Sequence, residues 1–95
     1  MIEIVIIGAG PAGSLAAVQL SRYGFRTFVF EKDRIGGLIR QANLIENCPG
    51  FPEGITGPEM AQLLQRQLEK AGIEVIFEEV KHVELSGELF LIKNR

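Results

Sequence analysis

The feature that most constrains this chain is a glycine-rich turn at residues 8–13, which follows a short apolar run. The turn reads Gly-Ala-Gly-Pro-Ala-Gly, and the β-branched residues 4–7 lead into it without interruption. A continuous β-branched run is typical of a buried strand. Residues 14–23 follow with apolar side chains close to helical spacing. A strand from residue 2 to 7, a G-x-G-x-x-G turn and a helix in that order predict the first part of a dinucleotide-binding βαβ unit.

The three glycines have separate physical roles in such a unit. Gly8 makes the tight turn, Gly10 lets a diphosphate approach the backbone, and Gly13 lets the helix pack closely on the strand. Unpaired N–H groups at the helix start then bind the phosphates. Glu31 lies 18 positions after Gly13, at the end of a second predicted strand over residues 25–30. We expect its carboxylate to accept hydrogen bonds from the ribose hydroxyls and to repel a 2′-phosphate. The alternative is a glycine turn without a ligand, which the strand, the helix and the carboxylate together disfavour.

The rest of the chain continues the alternation of strands and helices. After the second strand the pattern predicts a long loop, a helix, a third strand and a hairpin, at residues 32–56, 56–71, 73–77 and 80–92. Thr56 and Glu59 have the spacing of a helix capping box, and Ser86-Gly87 is the predicted hairpin turn. Parallel strands joined by helical crossovers give an α/β fold, and 95 residues allow one domain at most.

Composition excludes several classes of function. The net charge of −2 argues against a nucleic-acid-binding surface. No apolar run approaches the ~18 residues of a membrane span, and the chain starts without a basic region, so we expect a cytoplasmic protein with no membrane partner. A single cysteine, Cys48, excludes an internal disulfide and a cysteine-rich zinc site. We assign no catalytic acid, base or nucleophile and no metal ligands.

Further motifs make the chain similar to a known family. Gly36-Gly37, the segment Glu-Asn-Cys-Pro-Gly-Phe-Pro at residues 46–52, and Gly-Pro-Glu at residues 57–59 join the glycine turn and Glu31 in this resemblance. With them, the sequence resembles the thioredoxin reductase family of the pyridine nucleotide–disulfide oxidoreductase group. The resemblance runs along essentially the whole chain but covers only the N-terminal part of the family's FAD-binding domain. It implies an incomplete Rossmann-like three-layer FAD/NAD(P)-binding fold: parallel strands, two helices and a C-terminal β-hairpin, with residues 1–95 forming a partial domain.

The resemblance also implies which residues contact FAD. They follow the cofactor from its diphosphate through the ribose and the flavin segment to the adenine edge: Gly8, Gly10, Pro11, Ala12, Gly13, Glu31, Lys32, Gly36, Gly37, Leu38, Asn47 and Val80. Within this set, Asn47 resembles a flavin-side asparagine, and Val80 resembles the residue whose backbone contacts the adenine. Two positions depart from the family pattern. Leu38 stands where glutamine is common, and its side chain cannot hydrogen-bond to a flavin. Cys48 stands where an aromatic residue is frequent.

The implied function is an FAD-binding module of a thioredoxin reductase-like oxidoreductase. The family's redox Cys-x-x-Cys and NADPH domain are absent, so turnover would need further chain or a partner. A homo-oligomer or a separately encoded oxidoreductase subunit is the expected partner, because the first strand is too apolar for an exposed sheet edge. The alternatives are a non-catalytic NAD(H)- or ADP-binding protein and a truncated remnant.

Overall fold

The computed structural model describes residues 3–94 and centres on a three-stranded parallel sheet. The strands are β1 (Glu3–Ile7), β2 (Arg26–Phe30) and β3 (Val75–Ile76), and they lie in that order. β1 and β2 pair along their whole length, whereas β3 pairs only opposite Val29 and Phe30. The carboxyl ends of β1 and β2 therefore lie side by side, and the segments that follow them meet at one edge of the sheet. The predicted strand residue Ile2 lies outside the described residues.

Two α-helices supply the crossover connections, as predicted. They are α1 (Pro11–Arg22) and α2 (Gly57–Lys70). Right-handed crossovers that advance in the same direction place both helices on one face of the sheet. A single apolar core joins β2, the two helices and their loops: Ala9, Ala17, Val29, Ile35, Ile55, Met60, Leu64, Leu68 and Ile73. The α/β class predicted from the sequence is confirmed.

The start of α2 forms the predicted capping box. The Thr56 hydroxyl accepts a hydrogen bond from the Glu59 N–H at 3.3 Å, and the Glu59 carboxylate accepts the Thr56 N–H at 3.4 Å. Gly57, which follows Thr56, packs so closely on the loop that a Cβ there would overlap the Ile39 carbonyl. Side chains of the helix's own sequence thus satisfy its first backbone donors, and its position against the loop is fixed by close contact.

The loop between β2 and α2 contains local structure that the sequence pattern did not predict. A 3-10 turn spans Gly37–Gln41. Ile45 and Ile55 form an isolated antiparallel bridge, with N–H to carbonyl distances of 2.7 and 3.0 Å. Neither feature is long enough to produce a hydrophobic period, which explains why the segment resembled an unstructured loop.

The third strand is shorter than the predicted span of residues 73–77. The Ile73 N–H donates to the Leu68 carbonyl at 3.0 Å, so this residue closes the end of α2 instead of extending the sheet. Ile73 is buried in the core, whereas Phe77 is exposed. The apolar character of Ile73 therefore reflects packing against the end of α2. A sequence pattern cannot distinguish such packing from pairing in a sheet.

The C-terminal hairpin forms a sheet of its own. It consists of β4 (His82–Ser86) and β5 (Leu89–Lys93), which pair antiparallel. The turn falls at residues 87–88, one position later than predicted, and Gly87 takes the left-handed conformation there with φ of 63°. The register places four apolar side chains on one face of this hairpin, and all but Ile92 are exposed: Val83, Leu85, Phe90 and Ile92.

The first strand lies at the edge of the parallel sheet. Within residues 3–94, β1 pairs with β2 alone. Val5 and Ile7, whose side chains share one face of this strand, are 38% and 55% exposed. The structure thus shows the apolar, unpaired edge that the sequence analysis expected to need a further strand.

Candidate functional site

The glycine turn joins the carboxyl end of β1 to α1. The Gly8 N–H donates to the Phe30 carbonyl at 2.8 Å, which fixes the start of the turn to the end of β2. Gly8 itself has a φ of 103°, a conformation that residues with a Cβ rarely adopt. A Cβ on Gly13 would overlap the Gly8 carbonyl and come within 3.3 Å of Ile6. Both outer glycines are therefore required by the protein's own backbone geometry.

Gly10 differs from every other glycine in the chain. All 11 glycines lie within residues 3–94, and each of the others either has a positive φ or has no space for a Cβ. Gly10 has a φ of −74°, and a Cβ built on it meets no atom within 4 Å. Neither backbone conformation nor packing within the described protein requires a glycine at this position. It leaves open space directly in front of the start of α1.

The start of α1 also lacks the capping that stabilises α2. Among the described residues, no side chain caps this helix, and its first turn contains no acidic residue. Pro11 has no N–H, and the first bond of the helix runs from the Ser14 N–H to the Gly10 carbonyl at 2.9 Å. The N–H groups of Ala12 and Gly13 precede this bond, so they have no partner inside the helix. The positive end of the helix dipole adds to the attraction for an anion.

Glu31 lies next to this turn and is buried, with 7% exposure. One carboxylate oxygen accepts the Ala9 N–H at 2.9 Å, and the other accepts the Asp33 N–H at 2.7 Å. A carboxylate oxygen can accept two hydrogen bonds, so each retains an acceptor position for a hydroxyl group. From the sequence we expected only the ribose contact. The structure adds that Glu31 connects the glycine turn to the segment after β2.

A cleft of about 530 Å³ opens beside Glu31. Six of the expected site residues line it: Gly8, Glu31, Lys32, Gly37, Leu38 and Val80. Charged residues that the sequence analysis did not assign to the site also line it: Asp33, Arg34, Glu78 and Glu79. Consecutive glutamates in a polar segment are typical of a solvated surface, and the only sequence signal for a place at the site is their position immediately before Val80. Four carboxylates facing two cations make the cleft unfavourable for an additional phosphate.

The residues that the resemblance assigns to the flavin side do not meet at one place in the structure. Gly36 is buried against α2, where a Cβ would lie 2.7 Å from that of Ala61, so packing alone accounts for this glycine. Leu38 is 83% exposed at the cleft. Asn47 does not line the cleft. It borders a separate apolar groove of about 640 Å³, together with Pro11 and half-buried Cys48.

Residues 3–94 contain neither a candidate metal site nor a helix that could span a membrane. No three side chains of the metal-binding types lie close enough to share an ion. Neither helix has the length and hydropathy needed to cross a bilayer.

Comparison with known proteins identifies the family. Residues 6–66 match the family described as the NAD(P)-binding Rossmann-like domain. The chain belongs to this family. The match covers the glycine turn, Glu31, the loop and most of α2, and it leaves out the cleft-lining residues 78–80.

Individual relatives narrow the resemblance. The chain is 41% identical over 88 residues to a thioredoxin reductase from Streptomyces coelicolor, covering 92% of the chain and 27% of the relative. The crystal structure of a thioredoxin reductase from Streptococcus pyogenes superposes with a TM-score of 0.89 at 34% identity, covering 96% of the chain and 29% of that protein. A ferredoxin-flavin thioredoxin reductase from Clostridium acetobutylicum gives a TM-score of 0.87 at 28% identity, covering 96% of the chain and 31% of that protein. The resemblance to the N-terminal part of thioredoxin reductases is confirmed, and the chain spans less than a third of these three relatives.

Proposed function

We propose that this chain is the ADP-holding part of an FAD-binding domain in a thioredoxin reductase-like oxidoreductase. The observation that carries the proposal is Gly10, the one glycine that the described protein does not require for itself. A missing side chain in front of an uncapped helix N-terminus is what a closely approaching diphosphate needs. The family match and the flavin named in the Clostridium relative favour a dinucleotide, and specifically FAD.

Each part of the site has a defined task in this proposal. The N–H groups of Gly10, Ala12 and Gly13 bind the diphosphate, and Glu31 accepts hydrogen bonds from the ribose hydroxyls. The adenosine lies in the cleft, where the Val80 backbone faces the adenine and Lys32 lies beside the ribose. FAD, when bound, supplies hydride and electron transfer through its flavin. This chain's own residues bind and orient the adenosine end of that group.

Turnover is proposed to require additional protein. The relatives are more than three times longer than the matched segment, and the single Cys48 cannot form a reducible cysteine pair. We propose that residues 1–95 form a partial FAD/NAD(P)-binding domain. Further chain, a second copy or a separately encoded subunit would complete it in the cytoplasm.

A second candidate is a protein that binds NAD(H) or ADP without catalysis. It is favoured by the separation of Asn47 from the cleft and by the apolar, exposed Leu38, because both leave the flavin end with few polar contacts. The adenosine end is the same in both candidates, so ADP binding alone does not distinguish them.

An absorption spectrum and thermal unfolding separate the candidates. An FAD-binding module purifies with, or takes up, a chromophore that absorbs at about 450 nm. FAD at about 100 times its Kd adds roughly 2.7 kcal/mol to the free energy of unfolding, which raises Tm by about 10–20 °C for a domain of this size. Gly10→Val, whose side chain fills the diphosphate position, serves as the matched control and should show no such rise. A larger shift with NAD than with FAD would favour the second candidate. No shift with FAD, NAD or ADP would overturn both.

A further inference from the structure

The Ala9 residue, in the middle of the glycine turn, is held through both of its backbone polar groups. Its N–H donates to the buried Glu31 carboxylate at 2.9 Å. Its carbonyl accepts the Gly36 N–H at 2.7 Å and the Ser14 hydroxyl at 3.1 Å. One partner lies in α1 and two lie in the connection between β2 and α2, so residues outside the turn fix the orientation of two successive peptide planes.

The second of these planes determines where the Gly10 N–H points. The Ala9 carbonyl and the Gly10 N–H belong to the same planar, trans peptide, so they point in opposite directions. Bonds that hold the carbonyl toward the protein therefore direct the Gly10 N–H away from it. The hydrogen bonds of the described residues include none from this N–H. It is left free on the side where the proposed diphosphate approaches.

Ser14 is the side chain that contributes to this arrangement from within α1. It is 1% exposed, and its hydroxyl bonds only to the Ala9 carbonyl among the described residues. A buried hydroxyl costs free energy unless it is hydrogen-bonded, and an alanine would suit a helix better. Helix formation and core packing thus give no reason for a serine here, whereas orientation of the turn does.

We infer that Ser14 is a positioning residue that orients the Gly10 N–H toward a bound diphosphate. The inference rests on the proposed function, because it assumes that a diphosphate binds at the turn. Ser14 then increases the affinity for the diphosphate without contacting the ligand. When the Ser14 hydroxyl is removed, the Gly36 N–H still donates to the Ala9 carbonyl. Ser14→Ala should therefore change the orientation of the turn and not prevent folding.

The test compares Ser14→Ala with Ser21→Ala, titrating each with ADP and with adenosine and following backbone amide resonances. Ser21 lies on the same helix, is half-buried and has no side-chain hydrogen bond among those of the described residues, so its replacement controls for a serine-to-alanine change in α1. We expect Ser14→Ala to lower the ADP affinity about three- to tenfold, which corresponds to the net free energy of one hydrogen bond. Adenosine, which has no phosphate, should bind both variants as it binds the parent.

Each result has a distinct meaning. ADP affinity that falls for Ser14→Ala alone, with adenosine affinity unchanged, supports the positioning role. Equal ADP affinity in Ser14→Ala and the parent overturns it while leaving the proposed function intact. Equal losses for ADP and adenosine also overturn it, because they indicate a general structural effect. A parent protein that binds no ADP overturns the proposed function itself.

Discussion

Replacing Gly10 by alanine should weaken diphosphate binding without weakening the fold. The backbone at this position has a φ of −74°, which any residue adopts, and the new Cβ has no protein atom within 4 Å. Loss of unfolded-state freedom stabilises the variant by about 0.4–1 kcal/mol. Alanine is a poorer N-cap than glycine, by an amount of similar size. The two effects offset each other, so the free energy of unfolding should change by less than about 1 kcal/mol.

The effect of the same methyl group on ADP binding should be much larger. It occupies the space that the proposed diphosphate uses, and overpacking by a single group costs about 1–3 kcal/mol. That range corresponds to roughly a five- to 150-fold loss of affinity. Urea unfolding followed by circular dichroism measures the stability of the variant, and isothermal titration calorimetry with ADP measures its affinity.

Gly13→Ala is the matched control for this experiment. Its Cβ would overlap the Gly8 carbonyl, so α1 must move away from the end of β1. We expect a loss of about 2–3 kcal/mol or more in the free energy of unfolding. If Gly10→Ala is destabilised as much as Gly13→Ala, or if it binds ADP like the parent, the assignment of Gly10 to the ligand is wrong.

Three further predictions follow from the site and its support. Glu31→Gln keeps one acceptor but turns an amide NH₂ toward a backbone N–H, so the free energy of unfolding should fall by about 2 kcal/mol in urea titrations; a change below about 0.5 kcal/mol would contradict the buried pairing. The carboxylates around the cleft should make adenosine 2′,5′-bisphosphate bind at least about tenfold more weakly than 5′-AMP, which differs only in lacking the 2′-phosphate, and this gap in affinity should narrow as salt rises; equal calorimetric affinities would refute this. Thr56→Ala removes the α2 cap, so thermal unfolding should show a loss of about 1 kcal/mol, with ADP affinity unchanged. Weaker ADP binding in that variant would show that the cap acts on the site.

The sequence predicted the parts of the fold that depend on local pattern. The glycine turn, both helices, the capping box of Thr56 and Glu59 and the hairpin all follow from spacing and residue type, and the structure contains them. The 3-10 turn at Gly37–Gln41 and the Ile45–Ile55 bridge did not, because both are too short to create a period. The span of β3 was overestimated because Ile73 is apolar for packing against α2 and not for pairing in the sheet.

The site residues likewise divide into those that spacing predicts and those that depend on how distant segments meet. The position of Glu31 after the second strand was predictable from its spacing, and the structure places it beside the turn. Its bond to the Ala9 N–H was not predictable, because it depends on how two loops meet in space. The positions of Glu78 and Glu79 at the cleft were not predictable for the same reason, because charge pattern alone indicates a solvated surface.

The most direct measurement of the central claim is the response of individual backbone amides to ADP. Titration of isotopically labelled protein should shift the amide resonances of Gly10, Ala12 and Gly13 most strongly and saturably, with smaller shifts at the ribose-side Lys32 and at Val80. Shifts confined to the apolar groove around Asn47, or no shifts at millimolar ADP, would contradict a diphosphate site at the start of α1.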